Sequence, residues 1–182
     1  MAPGETAPPR PWLAVEREIA DLLARVDPQA FDRLLQAFAN KAQRWFFSGQ
    51  GRSGLIAQMM AMRLMQAGYD ARVVGEVTAP SARAGDGFFL VCGSGQTPVS
   101  VSFATIAKAE GAKLVVITHK PQSNLAGMAD VLLPIPVETS VQFGGSLFEQ
   151  ACLILFDSLI LQLTAPDPDA HAAMWRRHAN MQ

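Results

Sequence analysis

The sequence predicts a three-layer α/β/α sandwich around a parallel sheet. Three observations carry that expectation. Strand-like and helix-like segments alternate along most of the chain. The strand-like segments are apolar throughout rather than at every second residue, as strands covered on both faces are. The length of 182 residues suits one core and is short for two ordinary domains. Hydrophobic residues at 49% against charged residues at 17% give a globular balance, not that of a disordered chain.

Residues 1–11, MAPGETAPPRP, hold four prolines and little to bury, so they read as a flexible leader, with one domain over 12–182. From Trp12, Leu13, Ile19, Leu22, Leu23 and Val26 recur at helical spacing, with Glu16, Glu18 and Asp21 near the start. Asp27-Pro28 punctuates, and Phe31, Leu34, Leu35 and Phe38 carry a second helix ending around Asn40. Two helices therefore precede the first strand. Arg44 to Ser48 is a strand, Ser53 to Ala67 a helix, Ala71 to Gly75 and Gly87 to Cys92 strands. Thr97 to Glu110 is a helix, Lys113 to Thr118 a strand, and Val131 to Ile135 a shorter strand. Pro134 cannot donate to a ladder, which puts that last strand at an edge. Phe148 to Leu163 closes the core as a strongly apolar helix, followed by a tail that includes a further helix.

Composition excludes several function classes. A formal charge of -1, from 15 basic and 16 acidic residues, gives no electrostatic reason to expect nucleic acid or an anionic membrane surface. No segment reaches ~18 uninterrupted apolar residues. Cys92 and Cys152 are too few for a disulfide framework, and the opening lacks the apolar run of a secretory signal, so the chain reads as cytoplasmic with reduced thiols. No His/Cys grouping has zinc spacing. Met59, Met60, Met62 and Met65 follow helical packing and read as core and subunit interface rather than a metal site.

In parallel α/β sheets, ligands gather where strand ends meet helix starts. The first such loop is Gly49-Gln50-Gly51-Arg52-Ser53-Gly54. Its glycines allow close backbone approach, and Ser53 and the helix start supply donors for an anion. Literally it is also G-x-G-x-x-G, with Glu76 at roughly the ~20-residue spacing of a ribose-binding acid, so taken alone it admits a dinucleotide or a ligand-free turn. The second loop, Cys92-Gly93-Ser94-Gly95-Gln96-Thr97, repeats the combination. One pyrophosphate does not explain two such loops. Two polar turns on one crevice suit a compact phosphorylated ligand, with Ser94 and Thr97 as phosphate donors.

Five segments, GQGRSG, AMRLMQAGYDARVVGE, GSGQT, GSLFEQACLILFDSLIL and the terminal RHANMQ, together resemble the sugar isomerase (SIS) domain family and within it the 6-phospho-3-hexuloisomerases. The similarity covers nearly everything after the leader. It implies a flavodoxin-like five-stranded parallel sheet and a homotetramer with active sites between subunits. It also implies interconversion of a 3-hexulose 6-phosphate and fructose 6-phosphate through a 2,3-enediol, without metal or other cofactor. The hexulose-phosphate synthase of formaldehyde assimilation by the ribulose monophosphate route would then act upstream. Where the family commonly carries Glu, this chain has Gln96 and Gln182; where it carries Pro-Met, Phe143 and Gly144 stand.

On that resemblance Glu149 is the carbon acid-base residue, beside Phe148 where burial favours a base working near neutral pH. The bland account of Glu149 is a helix-start carboxylate completing a Ser146-x-x-Glu149 capping box. His178, in His178-Ala179-Asn180, matches the family's terminal motif and would move hydroxyl protons in a neighbouring site; without that match it is a solvated tail residue. The substrate-binding set is Gly49, Gly51, Arg52, Ser53, Glu76, Ser94, Gly95, Gln96 and Thr97. Arg52 would meet phosphate or sugar, or else serve as a surface or inter-subunit charge. Glu76 would bond substrate hydroxyls, or else pair with Arg52 or Arg83. Cys92 sits where a helix start favours the thiolate, but a small buried residue is the simpler account. His119 follows a strand at the ligand-facing end, where a surface role serves equally well, and His171 has no motif around it. Two other readings remain: an aldose-ketose isomerase of the same family, and a noncatalytic module that senses sugar phosphate.

Overall fold

A computed structural model describes residues 10–181. The leader residues 1–9 and Gln182 lie outside the described residues. Helix α1 (Pro11–Leu23) opens one residue earlier than expected: Pro11, counted above with the leader, is its first helical residue, where a proline's fixed φ and missing N–H cost nothing. Helix α2 (Pro28–Ala37) also opens on proline, and the Asp27 carboxylate caps it by accepting from the Gln29 N–H at 2.9 Å.

Then come β1 (Trp45–Gly49), α3 (Arg52–Gln66), β2 (Ala71–Val73), β3 (Gly87–Val91), α4 (Pro98–Ala109), β4 (Lys113–Thr118), α5 (Asn124–Met128), β5 (Val131–Pro134), α6 (Ser146–Thr164) and α7 (Ala170–Arg176). The five strands form one parallel sheet in the order β2-β1-β3-β4-β5. The last strand is an edge, as Pro134 requires. The other edge, β2, stops at Val73 instead of reaching Gly75, whose φ of 95° turns the chain out of the ladder. Helix α5 has no counterpart in the sequence reading.

Apolar strand residues point alternately to two cores. On one face Trp45, Phe47, Phe89, Val91, Val115 and Ile117 pack against α1, α2, α3 and α6. On the other, Phe46, Phe88, Leu90, Leu114 and Val116 pack against α4 and α5. The first core centres on aromatic rings: Phe38 lies 4.2 Å from Trp45, and Phe89 lies 5.3 Å from Phe47 and 5.2 Å from Phe156. Helix α6 is long and apolar enough to match a membrane span by composition, a match the sequence reading did not anticipate. Its Leu147, Phe148, Ala151, Cys152, Leu155, Phe156, Leu159 and Ile160 are buried in this core, which accounts for that composition. Of the methionines on α3, Met60 is buried, whereas Met59, Met62 and Met65 remain on its outer face with Leu55.

Candidate active site

From β1 the chain turns through α3 toward β2, and from β3 it turns through α4 toward β4, with the two helices on opposite faces. This divergence opens a crevice at the strand carboxyl ends, where both glycine-rich loops lie. In the first loop, a Cβ on Gly49 would meet the Ser53 carbonyl oxygen at 2.6 Å, and one on Gly54 the Gly49 oxygen at 2.8 Å. These two glycines let α3 start directly on the end of β1. Gly51, with φ 58° and open space around it, makes the turn itself. Helix α3 has no side-chain cap, and among the described residues the Arg52 and Ser53 N–H groups donate to nothing, so both remain for an anion.

The second loop is more tightly braced. Gly95 has φ 65°, and a side chain there would strike Ser123, which caps α5 from across the loop. The Thr118 hydroxyl donates to the Gly93 carbonyl at 2.8 Å, and the His119 N–H donates to the same oxygen at 3.2 Å. Thr97 is the N-cap residue of α4, yet its hydroxyl does not cap the helix. It turns to Ser94 Oγ at 3.4 Å and to Cys92 Sγ at 3.4 Å, leaving the first-turn N–H groups of Val99 and Ser100 without partners among the described residues. Gln96 is exposed at the rim, its N–H donating to Ser94 Oγ. Cys92 is buried, in line with the simpler account. Burial works to raise its thiol, but hydrogen bonding with Thr97, Ser94 and the Gly95 backbone outweighs it and holds the thiol below its ordinary value.

Glu149 stands in the first turn of α6, with only 8% of its surface exposed. Its Oε2 lies 2.5 Å from Arg52 Nε, an ion-pair contact in which the N–H is not aligned as a hydrogen bond. Arg52 thus joins the first loop to α6, rather than standing as a lone surface charge. The capping box is not formed: Gly145 is the N-cap, and the Ser146 hydroxyl donates backward to the Phe143 carbonyl at 2.8 Å. The preceding segment is tethered from α1. Glu18 accepts from the Val141 N–H at 2.7 Å, from the Ser140 hydroxyl at 2.9 Å and from the Gln142 side-chain amide at 3.1 Å. Burial acts to raise the Glu18 carboxyl, but these three bonds outweigh it and keep it below the ordinary value. Phe143 follows, 95% exposed.

Two residues of the expected set lie elsewhere. Glu76 is exposed in the loop after β2 and borders an apolar cavity with Phe46, Phe88, Phe103 and Ile106, on the sheet face away from Glu149. Among the described residues it pairs with neither Arg52 nor Arg83. His178 follows α7, its ring 5.3 Å from that of Trp175, and lines a cavity with Arg63, Ile160, Leu161, Thr164 and His171. At ~1.5 Å of rise per residue, that end of α6 lies roughly 17–22 Å from Glu149. Within one chain the two proposed acid-base groups do not meet.

Of a third strand-end loop, after β4, the sequence singles out only His119. The loop carries His119, Lys120, Gln122 and Ser123, which share a cleft of about 400 Å³ with Ser94 and Gln96. His119 is half-buried rather than a surface residue, its ring 5.8 Å from Phe148. Burial, and then the Lys120 charge, lower its basicity. Its position at a strand's carboxyl end was the available signal. Among the described residues, no group of three or more His, Cys, Asp or Glu side chains is arranged to hold a metal ion.

A parallel sheet of this order, with two donor-rich turns at its crevice and the Glu149 carboxylate paired with Arg52, defines an α/β domain equipped to bind an anionic ligand beside a general base. The chain belongs to the SIS domain family, which matches residues 38–166. Over 176 residues it is 37% identical to a 3-hexulose-6-phosphate isomerase of Mycobacterium gastri, covering 92% of this chain and 88% of that one. It is 34% identical over 161 residues to the enzyme of that name from Methylomonas aminofaciens, covering 85% and 89%. Its fold is also similar to the crystal structure of a Methanococcus jannaschii protein for which a molecular function of 3-hexulose-6-phosphate isomerase has been inferred. That pair has a TM-score of 0.84 and 30% identity, covering 94% of this chain and 98% of that one.

Proposed function

We propose that this chain is a ketose isomerase interconverting 3-hexulose 6-phosphate and fructose 6-phosphate through a 2,3-enediol. The observation that carries the reading is the buried Glu149 carboxylate, paired with Arg52 and set beside two loops whose N–H and hydroxyl groups suit a phosphate. The full-length relatives of that activity support it. With O6 esterified, a C3 ketone has no hydroxyl able to close a five- or six-membered ring, so the hexulose arrives open. Its phosphate lies against Ser53, Ser94, Thr97 and the free N–H groups of α3 and α4. Glu149 takes the C2 proton while the C3 carbonyl oxygen gains the electron pair and a proton. The same carboxyl then returns a proton to C3 as the O2 hydroxyl loses its own and C2 becomes the carbonyl. Arg52 stabilises charge developing on the enediolate oxygens. The chemistry needs no redox cofactor.

His178 of a neighbouring copy relays the hydroxyl proton between O3 and O2. The separation of His178 from Glu149 supports a site shared between subunits. The outward-facing Leu55, Met59 and Met62 of α3, with Ile154 and Leu161 of α6, support assembly into a homotetramer. Two free buried cysteines suit a reducing cytoplasm. The substrate's supplier is a hexulose-phosphate synthase in formaldehyde assimilation. The test is incubation of the purified protein with fructose 6-phosphate in deuterated water. Deuterium at C3 together with 3-hexulose is the expected outcome. Deuterium at C1 identifies an aldose-ketose isomerase instead, and no incorporation identifies a sugar-phosphate-binding module.

A further inference from the structure

The ring of His119 is fixed on two sides by groups that have no chemistry of their own. Its Cδ2 edge lies against Gly93, where even a Cβ would come within 3.4 Å of it, and its face leans on Phe148. The Nδ1 atom is buried and meets no hydrogen-bond partner among the described residues. Nε2 is not among the buried unpartnered atoms and has no hydrogen bond among the described residues, and the residue lines the cleft shared with Ser94, Gln96 and Gln122. A buried N–H without an acceptor is among the rarest arrangements in proteins, which sets the single proton of a neutral imidazole on Nε2. The adjacent Lys120 disfavours the imidazolium further.

We propose that His119 is a specificity-determining residue of this site, donating a hydrogen bond from Nε2 to a hydroxyl or carbonyl oxygen of the bound sugar phosphate. Ser94 shares its cleft, but the N–H groups proposed for the phosphate belong to the starts of α3 and α4, whereas His119 packs against Phe148, the residue next to Glu149. A neutral donor is also suited to a sugar oxygen more than to a dianion. The inference rests on the isomerase reading for the identity of the sugar, but not for the contact itself.

Calorimetric titration of the wild-type chain, His119→Ala and His119→Gln with fructose 6-phosphate and with inorganic phosphate separates the two. Loss of one hydrogen bond that leaves its partner unpaired predicts a roughly tenfold weaker affinity of His119→Ala for fructose 6-phosphate. Affinity for inorganic phosphate should stay within about twofold, the factor a contact away from the anion allows. His119→Gln, whose amide can donate from a similar place, should recover most of the loss. Equal losses for both ligands, no loss for either, or a wild-type chain that binds no fructose 6-phosphate overturns the proposal. If His119→Ala shows the affinity split but the wild-type chain exchanges no C3 proton in deuterated water, the isomerase reading falls and the His119 contact stands. Exchange without the split gives the converse.

Discussion

The strand-end crevice and the far end of the helical layer both hold polar residues of catalytic type, but they are built in opposite ways. At the crevice the loops that carry them are braced. Gly49 and Gly54 lock α3 onto β1, Ser123 and Thr118 hold the Gly93–Thr97 turn, and Arg52 reaches over to Glu149. At the far end, His171, Trp175 and His178 are exposed on a short helix and the turn after it. Such bracing holds donors in place, which is what a transition state needs. The exposed group has no equivalent frame within its own chain. In the proposed shared site, a second copy of the chain supplies that frame.

The sharpest separation of the two regions comes from Glu149→Gln, which keeps shape and removes the base. Turnover should fall by roughly 10²–10⁴ with the fold intact, read as C3 exchange beside the melting curve; near-normal turnover ends the assignment. Stopping the chain after Arg177 should cost roughly a hundredfold in turnover and hardly move the melting temperature. Mixing these two inactive variants should restore a fraction of the activity, because one site of a mixed pair is then intact. If it does not, the two groups do not act in one shared site. Gly95→Ala attacks the bracing itself: a strained φ of 65° and a collision with Ser123 should cost about 1–3 kcal/mol of stability. The displaced loop should cost on the order of tenfold to a hundredfold in kcat/KM.

Glu18→Gln is the mildest change, loosening the tether of residues 140–142 that leads to Glu149. The folded pKa of Glu18 lies below its unfolded value, so its contribution to stability is present in full above about pH 4.3 and is lost as pH falls through the lower folded value. The melting curves of wild type and variant should therefore differ by a few degrees at most at neutral pH and converge in acid. A difference that persists below that window assigns the tether to packing rather than charge.

The sheet was legible because β3, β4 and most of β1 are apolar runs bounded by loop residues, and both glycine loops announced themselves by composition. Strand β2, with Arg72 at its centre, is the least apolar strand and the one that ends short of the expected Gly75. Strand order was accessible only through family resemblance. Helix α5 was not legible, since five residues are too few to show a helical period. The Ser146-x-x-Glu149 spacing fits a capping box, yet the chain enters α6 through Gly145, which moves Ser146 inside the helix. The sequence leaves His119 open between a ligand-facing and a surface role, because its contacts come from Gly93 and from Phe148, twenty-nine positions later, and no local pattern carries them. The Arg52–Glu149 pair, one partner at the start of α3 and the other nearly a hundred residues on, was hidden for the same reason. Composition and spacing report what a segment is; which segment it meets depends on the crossing of α3 and α6.

The ring contact between Trp175 and His178 also gives the tail an optical signature. Trp45 emits from a fully buried position, whereas Trp175 is 71% exposed and 5.3 Å from the imidazole. Docking of the tail on a second copy would move that indole out of water and part or shield it from its quenching neighbour. With Trp12 replaced by Phe, the colour and intensity of native emission then follow the tail on dilution, and the chain carries its own fluorophore at the one place where assembly and chemistry would coincide.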